Sequence, residues 1–527
     1  MKTKGQILNG EISKILIRQK SEEDIELDEL LVCEHANKKY ILQVYGLNYG
    51  SQLSQSNIEL LSGYDLENIG DLEFYDNNIR NYIIAIAKQV LSVVSDENKD
   101  MTYLPKTLPP FFNKVRSITK QDVKFLTKPD KSIYLGQLRS GSKLLDVPIY
   151  LDAHKVLTHH ILIPATTGRG KSNLCSVLIW DLVDKDYSSL LVFDPHDEYF
   201  GRGKKGYGLK DHPTKEKVMY YSKSRFERSK DLYINIDLIK PMHFTGIINL
   251  TDAQQETMYL FYKNWGKKWI RTLLLFDDNE AESINTFKAT ISVLKRKLMN
   301  ALDISVHNNE LLCKGIFQEQ YGINTIENII QELEQSKTLI IDTSNISSSS
   351  ELIISTMITT EIFEKYKYYK KTGEIYNKPN ISIILEEAPR VLGKDVLDKG
   401  NNIFATLARE GRKFKVGLIG ITQLPSLIPK TILANMNTKI ILGIEMKPER
   451  DSIIESSAQD LSNYSSNIAS LDKGEALITS NFARFALPIK IPLFDNFAKE
   501  YVKKYEQEKS NQINNPTNNN FEGVNLG

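Results

Sequence analysis

Ile161-Leu162-Ile163-Pro164-Ala165-Thr166-Thr167-Gly168-Arg169-Gly170-Lys171-Ser172 is the stretch on which the reading of this chain turns. An apolar run enters a loop of small residues and closes on Gly170-Lys171-Ser172. Asn173-Leu174-Cys175-Ser176-Val177-Leu178-Ile179-Trp180 follows at once and reads as a helix. Strand, loop and helix in that order form the context a P-loop needs. Successive backbone N–H groups then line a concavity for phosphate oxygens, and the helix N-terminus adds its positive dipole end. The candidate phosphate-binding set is therefore Thr166, Thr167, Gly168, Arg169, Gly170, Lys171, Ser172 and Asn173. Lys171 is placed to reach the β- and γ-phosphates of ATP, and the Ser172 hydroxyl to hold Mg²⁺. The first glycine of the motif is replaced by Ala165, which a loop accepts only where φ stays negative.

Outward from the loop, the chain alternates apolar runs with helical patterns from about 155 to 445. Ser188-Ser189-Leu190-Leu191-Val192-Phe193-Asp194, Thr338-Leu339-Ile340-Ile341-Asp342, Ile381-Ser382-Ile383-Ile384-Leu385-Glu386-Glu387 and Val416-Gly417-Leu418-Ile419-Gly420-Ile421-Thr422-Gln423 are runs of the kind buried on both faces of a parallel sheet. The expected class is α/β, a P-loop core on a mainly parallel, doubly wound sheet. The expected division is a small β-barrel with a helix and a proline-punctuated linker over 1–110, and the first part of the core over 111–250. A helical insertion over 251–335, opened by the capped start Thr251-Asp252-Ala253-Gln254, comes next. The remainder of the core follows over 336–495, then a C-terminal extension over 496–527. Within these, 77–94 is expected to be a helix from its apolar spacing, and 506–527, rich in Asn, Gln, Glu and Lys, to be disordered.

Ligands of such sheets bind at the carboxyl ends of the strands. Polar groups stand there: Lys171 and Ser172, Asp194, the pair Glu386-Glu387, and Gln423. An ATPase of this type needs one acidic group to position Mg²⁺ and another to orient or deprotonate water. Glu386 and Asp194 join Ser172 as candidate metal-site residues, and Glu387 is the candidate base; adjacent glutamates otherwise make only a solvated loop. Gln423 could hydrogen-bond the γ-phosphate or the attacking water. Arg409-Glu410-Gly411-Arg412-Lys413 supplies arginines whose forked donors suit a developing phosphoryl charge, including across a subunit boundary.

Composition sets the outer limits. Lys and Arg number 67 against 66 Asp and Glu, a net charge of +1, so any nucleic-acid surface has to be local. The loop Arg202, Lys204, Lys205 is the candidate for one. Three widely spaced cysteines, Cys33, Cys175 and Cys313, form no disulfide framework or zinc signature and fit a reducing, cytoplasmic setting. The chain begins Met1-Lys2-Thr3-Lys4-Gly5 with no signal pattern, and no uncharged apolar run of about 18 residues occurs, so no membrane partner is expected.

Taken together, Tyr134-Leu135-Gly136, Asp146-Val147-Pro148-Ile149-Tyr150-Leu151, the P-loop, and Phe193-Asp194-Pro195-His196-Asp197-Glu198-Tyr199 make a pattern, with Ala408-Arg409-Glu410-Gly411-Arg412-Lys413-Phe414-Lys415-Val416-Gly417-Leu418, Thr422-Gln423-Leu424-Pro425 and Leu471-Asp472-Lys473-Gly474-Glu475. It resembles the HerA family of hexameric DNA translocases, within the FtsK-like branch of RecA-type ATPases. The resemblance implies an N-terminal barrel that helps assemble a homohexameric ring, ATP bound between subunits, and double-stranded DNA as the track. It favours Arg412 over Arg409 as an arginine acting on the neighbour's site. It also implies a partner, a nuclease or a sirtuin-like NAD-consuming effector, in DNA end processing or antiviral defence. A ring-forming scaffold with little translocation stays open beside the motor. Three positions depart from the family pattern: Glu386 stands for Asp, Asp197 for glycine, and His159 for an arginine.

Overall fold

The computed structural model describes residues 2–67, 80–96, 99–202, 206–284 and 286–514. They divide into two compact units, Met1–Lys171 with Phe244–Asn249 and Thr359–Ile491, and Ser172–His243 with Leu250–Ile358 and Pro492–Gly527.

The first unit opens with β1 (Thr3–Glu11), β2 (Lys14–Gln19), β3 (Leu30–His35), β4 (Lys38–Ser51), β5 (Asn81–Asp96), β6 (Lys99–Tyr103) and β7 (Lys114–Ser117). Their order is β2-β1-β7-β3-β4-β5-β6, and β2 also pairs with β5. Six strands therefore close on themselves, with β6 appended to β5. Closure leaves those six without a free edge, and a barrel this narrow is filled by side chains. Ile15 and Ile17 of β2, Leu31 and Cys33 of β3, Tyr40, Leu42 and Val44 of β4, and Ala85 and Ala87 of β5 point inward at the two-residue period of a strand.

The helix expected over 77–94 is corrected here: 81–96 is β5, and 77–79 lie outside the described residues. The apolar residues Ile83, Ile84 and Ile86 stand beside inward Ala85 and Ala87, so neighbouring positions are apolar on both faces. Such a run satisfies helical and strand spacing alike. Pairing with β4 from Lys38↔Val94 to Ser51↔Asn81, and with β2 on the other side, decides for the strand.

Beyond the barrel this unit holds a mixed sheet. Its strands run Asn380–Leu385, Val416–Thr422, Ile161–Pro164, Thr438–Ile441, Glu475–Ser480, Leu487–Lys490, Ser132–Ser140, Lys143–Asp152. The first four are parallel and the rest antiparallel. The parallel strands are buried along their whole length, as two-sided cover demands.

The second unit carries four parallel strands in the order Ser229–Asp231, Val218–Ser222, Thr338–Asp342, Ser188–Asp194. Helices Asp252–Trp265, Trp269–Leu275 and Lys288–Leu302 follow the capped start: Thr251 accepts from Gln254 N and forms a capping box with it. The hairpin Ile304–His307 with Glu310–Cys313 interrupts that helical stretch. Trp180 packs edge-on against His212, Phe494 and Tyr501, which anchors the helix Phe494–Asn514. Residues 506–514, expected to be disordered, continue that helix, because its anchored first turns supply the nucleus that a polar segment alone lacks; 515–527 lie outside the described residues. Among the described residues no helix is long and apolar enough to cross a membrane.

Candidate nucleotide-binding site

The strand Ile161–Pro164 ends beneath a loop whose backbone does what its composition requires. Gly168 and Gly170 adopt φ of +80° and +102°, the left-handed region that side chains resist. Ala165 is not among the positive-φ residues, so its methyl costs no backbone strain, and its N–H donates to Thr422 O at 3.0 Å. The helix Lys171–Leu182 begins at the loop's end, and a helix leaves its first N–H groups without intrahelical partners.

Four side chains converge on this loop within the first unit. Lys171 Nζ donates to Ala165 O at 3.2 Å, and Thr167 donates to Gln423 Oε1 at 2.6 Å. Glu387 follows the strand Asn380–Leu385 and is half-buried. Burial pushes its carboxyl pKa up, opposed by the positive charge of Lys171, a hydrogen bond from Thr422 and the charge of Arg390. A carboxylate with its proton affinity raised, beside the loop lysine, has the electrostatic character of a general base. Glu386, also half-buried, stands next to it.

Other expected residues are placed differently. Arg169 turns away from the loop's concavity: Nη1 donates to Leu471 O at 3.0 Å and Nη2 to Glu445 Oε1 at 2.7 Å. Asn173 spends both side-chain atoms on the chain ahead of the C-terminal helix, donating to Pro492 O and accepting from Phe494 N, each at 2.8 Å. Ser172 is exposed at the start of its helix. In the second unit, Asp194 is buried and accepts three backbone N–H groups, from His196, Glu198 and Tyr199, at 3.1 to 3.3 Å. Burial raises its pKa against those three donors. This carboxylate organises its own loop.

Asp197, where the family pattern has glycine, has a φ of +53°, which explains the family's preference. Here the aspartate gains partners, accepting from Tyr220 OH at 3.1 Å and from Arg202 Nε at 2.9 Å. Arg202, a candidate nucleic-acid contact, is thereby committed to Asp197, with Asp342 at 3.6 Å and the Phe226 ring 5.2 Å away. Lys204 and Lys205 lie outside the described residues.

Arg412 is exposed in the 3₁₀ turn Gly411–Phe414, ahead of the strand Val416–Thr422. Gln423 is at that strand's other end. Seven residues at ~3.3 Å each put about 20 Å between them, so Arg412 is out of reach of its own chain's loop. Its charge instead bears on His159 and His160, lowering both pKa values after burial has done so. His160, with φ of +62° and a pKa pushed down to about 4, accepts from Leu418 N on Nδ1 at 2.9 Å. It is a neutral structural imidazole. His159 stacks edge-on against Phe482 at 4.9 Å.

Sequence reasoning missed Thr422, Glu445 and the hold of 471–474 on the loop. Only the last left a visible trace, in Asp472-Lys473-Gly474-Glu475, where Gly474 has φ of +78°.

Residues 133–362 match the family model described as "Helicase HerA, central domain". The chain is 24% identical over 506 residues to the DNA double-strand break repair helicase HerA of Saccharolobus solfataricus, covering 93% of this chain and 94% of that one. It is 26% identical over 395 residues to the protein of the same description from Pyrococcus furiosus, covering 67% and 68%. A solved structure of VirB4 from Thermoanaerobacter pseudethanolicus superposes with a TM-score of 0.45 at 15% identity, covering 69% of this chain and 97% of that one.

Proposed function

We propose that this chain is a P-loop ATPase of the HerA family and an ATP-driven DNA translocase of the helicase type. The observation that carries the reading is the convergence of Lys171, Glu387, Thr422 and Gln423 on a loop whose glycines have positive φ. A nucleoside triphosphate fits this cradle. Its phosphates would sit at the loop closing on Gly168-Arg169-Gly170, and Lys171 would leave Ala165 O to meet them. Glu387 takes or orients the proton of the attacking water, and Gln423 gives up Thr167 to help place it. Bound Mg²⁺, assigned to Ser172 and to Glu386 through water, would neutralise charge between the β- and γ-phosphates. Asp194 is left out of that set, since its oxygens already serve three N–H groups.

The finer form of this reading is a homohexameric ring around duplex DNA. The separation of Arg412 from its own loop supports it, because an exposed arginine in that place is out of reach of its own nucleotide and open to a neighbouring copy. A partner nuclease or sirtuin-like effector remains part of the proposal and supplies any chemistry on DNA ends or on NAD.

The test is ATP turnover with and without duplex DNA. Wild type should be stimulated by DNA, Lys171→Ala should lose nucleotide binding, and Glu387→Gln should bind ATP while turning over about 10²- to 10⁴-fold more slowly. Undiminished turnover in both variants would overturn the reading.

A further inference from the structure

The phosphate loop is gripped from the side by segments that also carry the barrel's buried polar contacts. Arg169 is the point of grip. Its guanidinium bridges Leu471 O and Glu445, and its own carbonyl accepts from Gly474 N at 3.2 Å. Thr166 N donates to Gly443 O at 3.1 Å. The fit is close: a Cβ on Gly443 would lie 2.8 Å from Leu471 O and 3.0 Å from Arg169 Nε.

Segment 464–475 then leads back to the barrel by two routes. In one, Asn467, fully buried, donates to Asp28 Oδ1 at 2.7 Å and to Val44 O at 3.3 Å, while Tyr464 OH donates to Gln43 Oε1 at 3.0 Å. In the other, Arg139 donates to Asp28 Oδ2 at 2.9 Å and faces Glu475 at 3.8 Å, and Glu475 in turn accepts from Asp472 N at 3.0 Å. Asp28, Arg139 and Asn467 are all buried, so both routes are shielded from water where they meet the barrel. A shift of the barrel against 464–475 has to break charge-assisted bonds or carry the segment with it.

We propose that Arg169 is a positioning residue of the phosphate loop, coupled through 464–475 to the N-terminal barrel, so that the barrel sets the loop's affinity for nucleotide. This rests on the nucleotide-binding reading above. Arg169 occupies a position where the P-loop motif admits any residue, and its side chain is used for bracing, not for phosphate. The device makes the barrel a place from which a bound partner can raise or lower nucleotide occupancy without touching the site.

The experiment uses the full chain, with Mg·ADP and Mg·ATP binding by calorimetry and ATPase kinetics. Arg169→Ala should weaken both nucleotides about tenfold, the scale of losing hydrogen bonds to a charged group, and Arg169→Lys should recover part of the loss through Glu445. Asn467→Ala, far from the site, should raise the KM for ATP about threefold with kcat unchanged. The double variant Arg169→Ala/Asn467→Ala should bind no more weakly than Arg169→Ala alone, because the second change acts through the first. Should Asn467→Ala fail to fold, Glu475→Gln, which alters the second route while keeping its shape, carries the same expectation. Additive losses, or an affinity unmoved by Arg169→Ala, would overturn the coupling alone. Failure of the wild type to bind either nucleotide would overturn the functional reading and this inference with it.

Discussion

Replacing Lys439 by methionine should destabilise the chain by about 3 kcal/mol, although the change removes a charge from the interior. Lys439 is fully buried in the strand Thr438–Ile441, in parallel pairing with Leu162 of the strand that feeds the phosphate loop. Its ammonium donates to Leu433 O at 3.0 Å, Met436 O at 3.1 Å and Ser456 O at 2.6 Å. Those carbonyls close the helices Lys430–Asn435 and Lys447–Glu455, so one cation caps two C-termini. Two effects oppose each other. Relief of desolvation returns several kcal/mol, as when buried ion pairs are replaced by apolar residues. Against that stand the hydrogen bonds to three carbonyls, at about 1.5–3 kcal/mol each with two favourable dipole interactions while the ammonium is charged, and at about 0.5–1.5 kcal/mol each for the N–H donors that stay once it is neutral. Methionine fills the lysine stem and leaves little cavity, so the balance falls on the orphaned carbonyls.

The pH dependence adds a second readout. Burial pushes the pKa of Lys439 down to about 7. The unfolded chain holds this proton to about pH 10.4, so between those values the unfolded state binds more protons and the group's contribution to stability grows as pH rises. The gap between wild type and Lys439→Met should therefore widen from pH 7 to pH 9. Calorimetric melting of both proteins at the two pH values decides it. At about 2–4 °C per kcal/mol for units of this size, the expected drop at pH 7 is roughly 6–12 °C. A methionine variant as stable as wild type would refute the reasoning and show that the buried charge is a net burden.

Three further predictions follow from the site. The acid limb of the ATPase pH profile should lie above the ordinary glutamate range, because burial raises Glu387 and activity is lost as pH falls through its pKa; a limb at ordinary carboxylate pH would contradict the assignment. Arg412→Ala and Glu387→Gln proteins, each inactive alone, should regain ATP turnover when mixed, since intact halves from different subunits can meet; no recovery at any ratio would count against the ring. Asp197→Ala should cost about 1 kcal/mol more than Asp197→Gly in urea unfolding, because both lose Tyr220 and Arg202 while only alanine keeps the positive-φ strain; equal costs would remove strain from the account.

What could be read in advance was whatever rests on neighbours along the chain. The P-loop, the apolar strands Ser188–Asp194 and Val416–Thr422, and the capped start at Thr251 all stand where local spacing puts them. Even the Ala165 departure was decidable in principle, since it turned on the sign of one dihedral angle. What spacing along the chain left undecided is which partner a residue finds, whether far along the chain or in its own loop. The stretch now in β5 satisfies two periods, and only its pairing with β2 and β4 chose between them. Asp194 and Arg202 are polar groups in suggestive places, yet one is consumed by its loop's N–H groups and the other by Asp197 and Asp342.

The sequence by itself determined that a phosphate loop exists, which strands flank it and which acidic pair and glutamine end those strands, because periodicity and backbone chemistry act over a few residues. Only the tertiary structure decided that Arg169 donates to Leu471 O and Glu445, that Arg412 is a strand's length from its own loop, and that Asp28 and Asn467 meet across 439 residues of chain. Buried polar groups must find partners wherever the fold supplies them, and sequence spacing carries no record of that search.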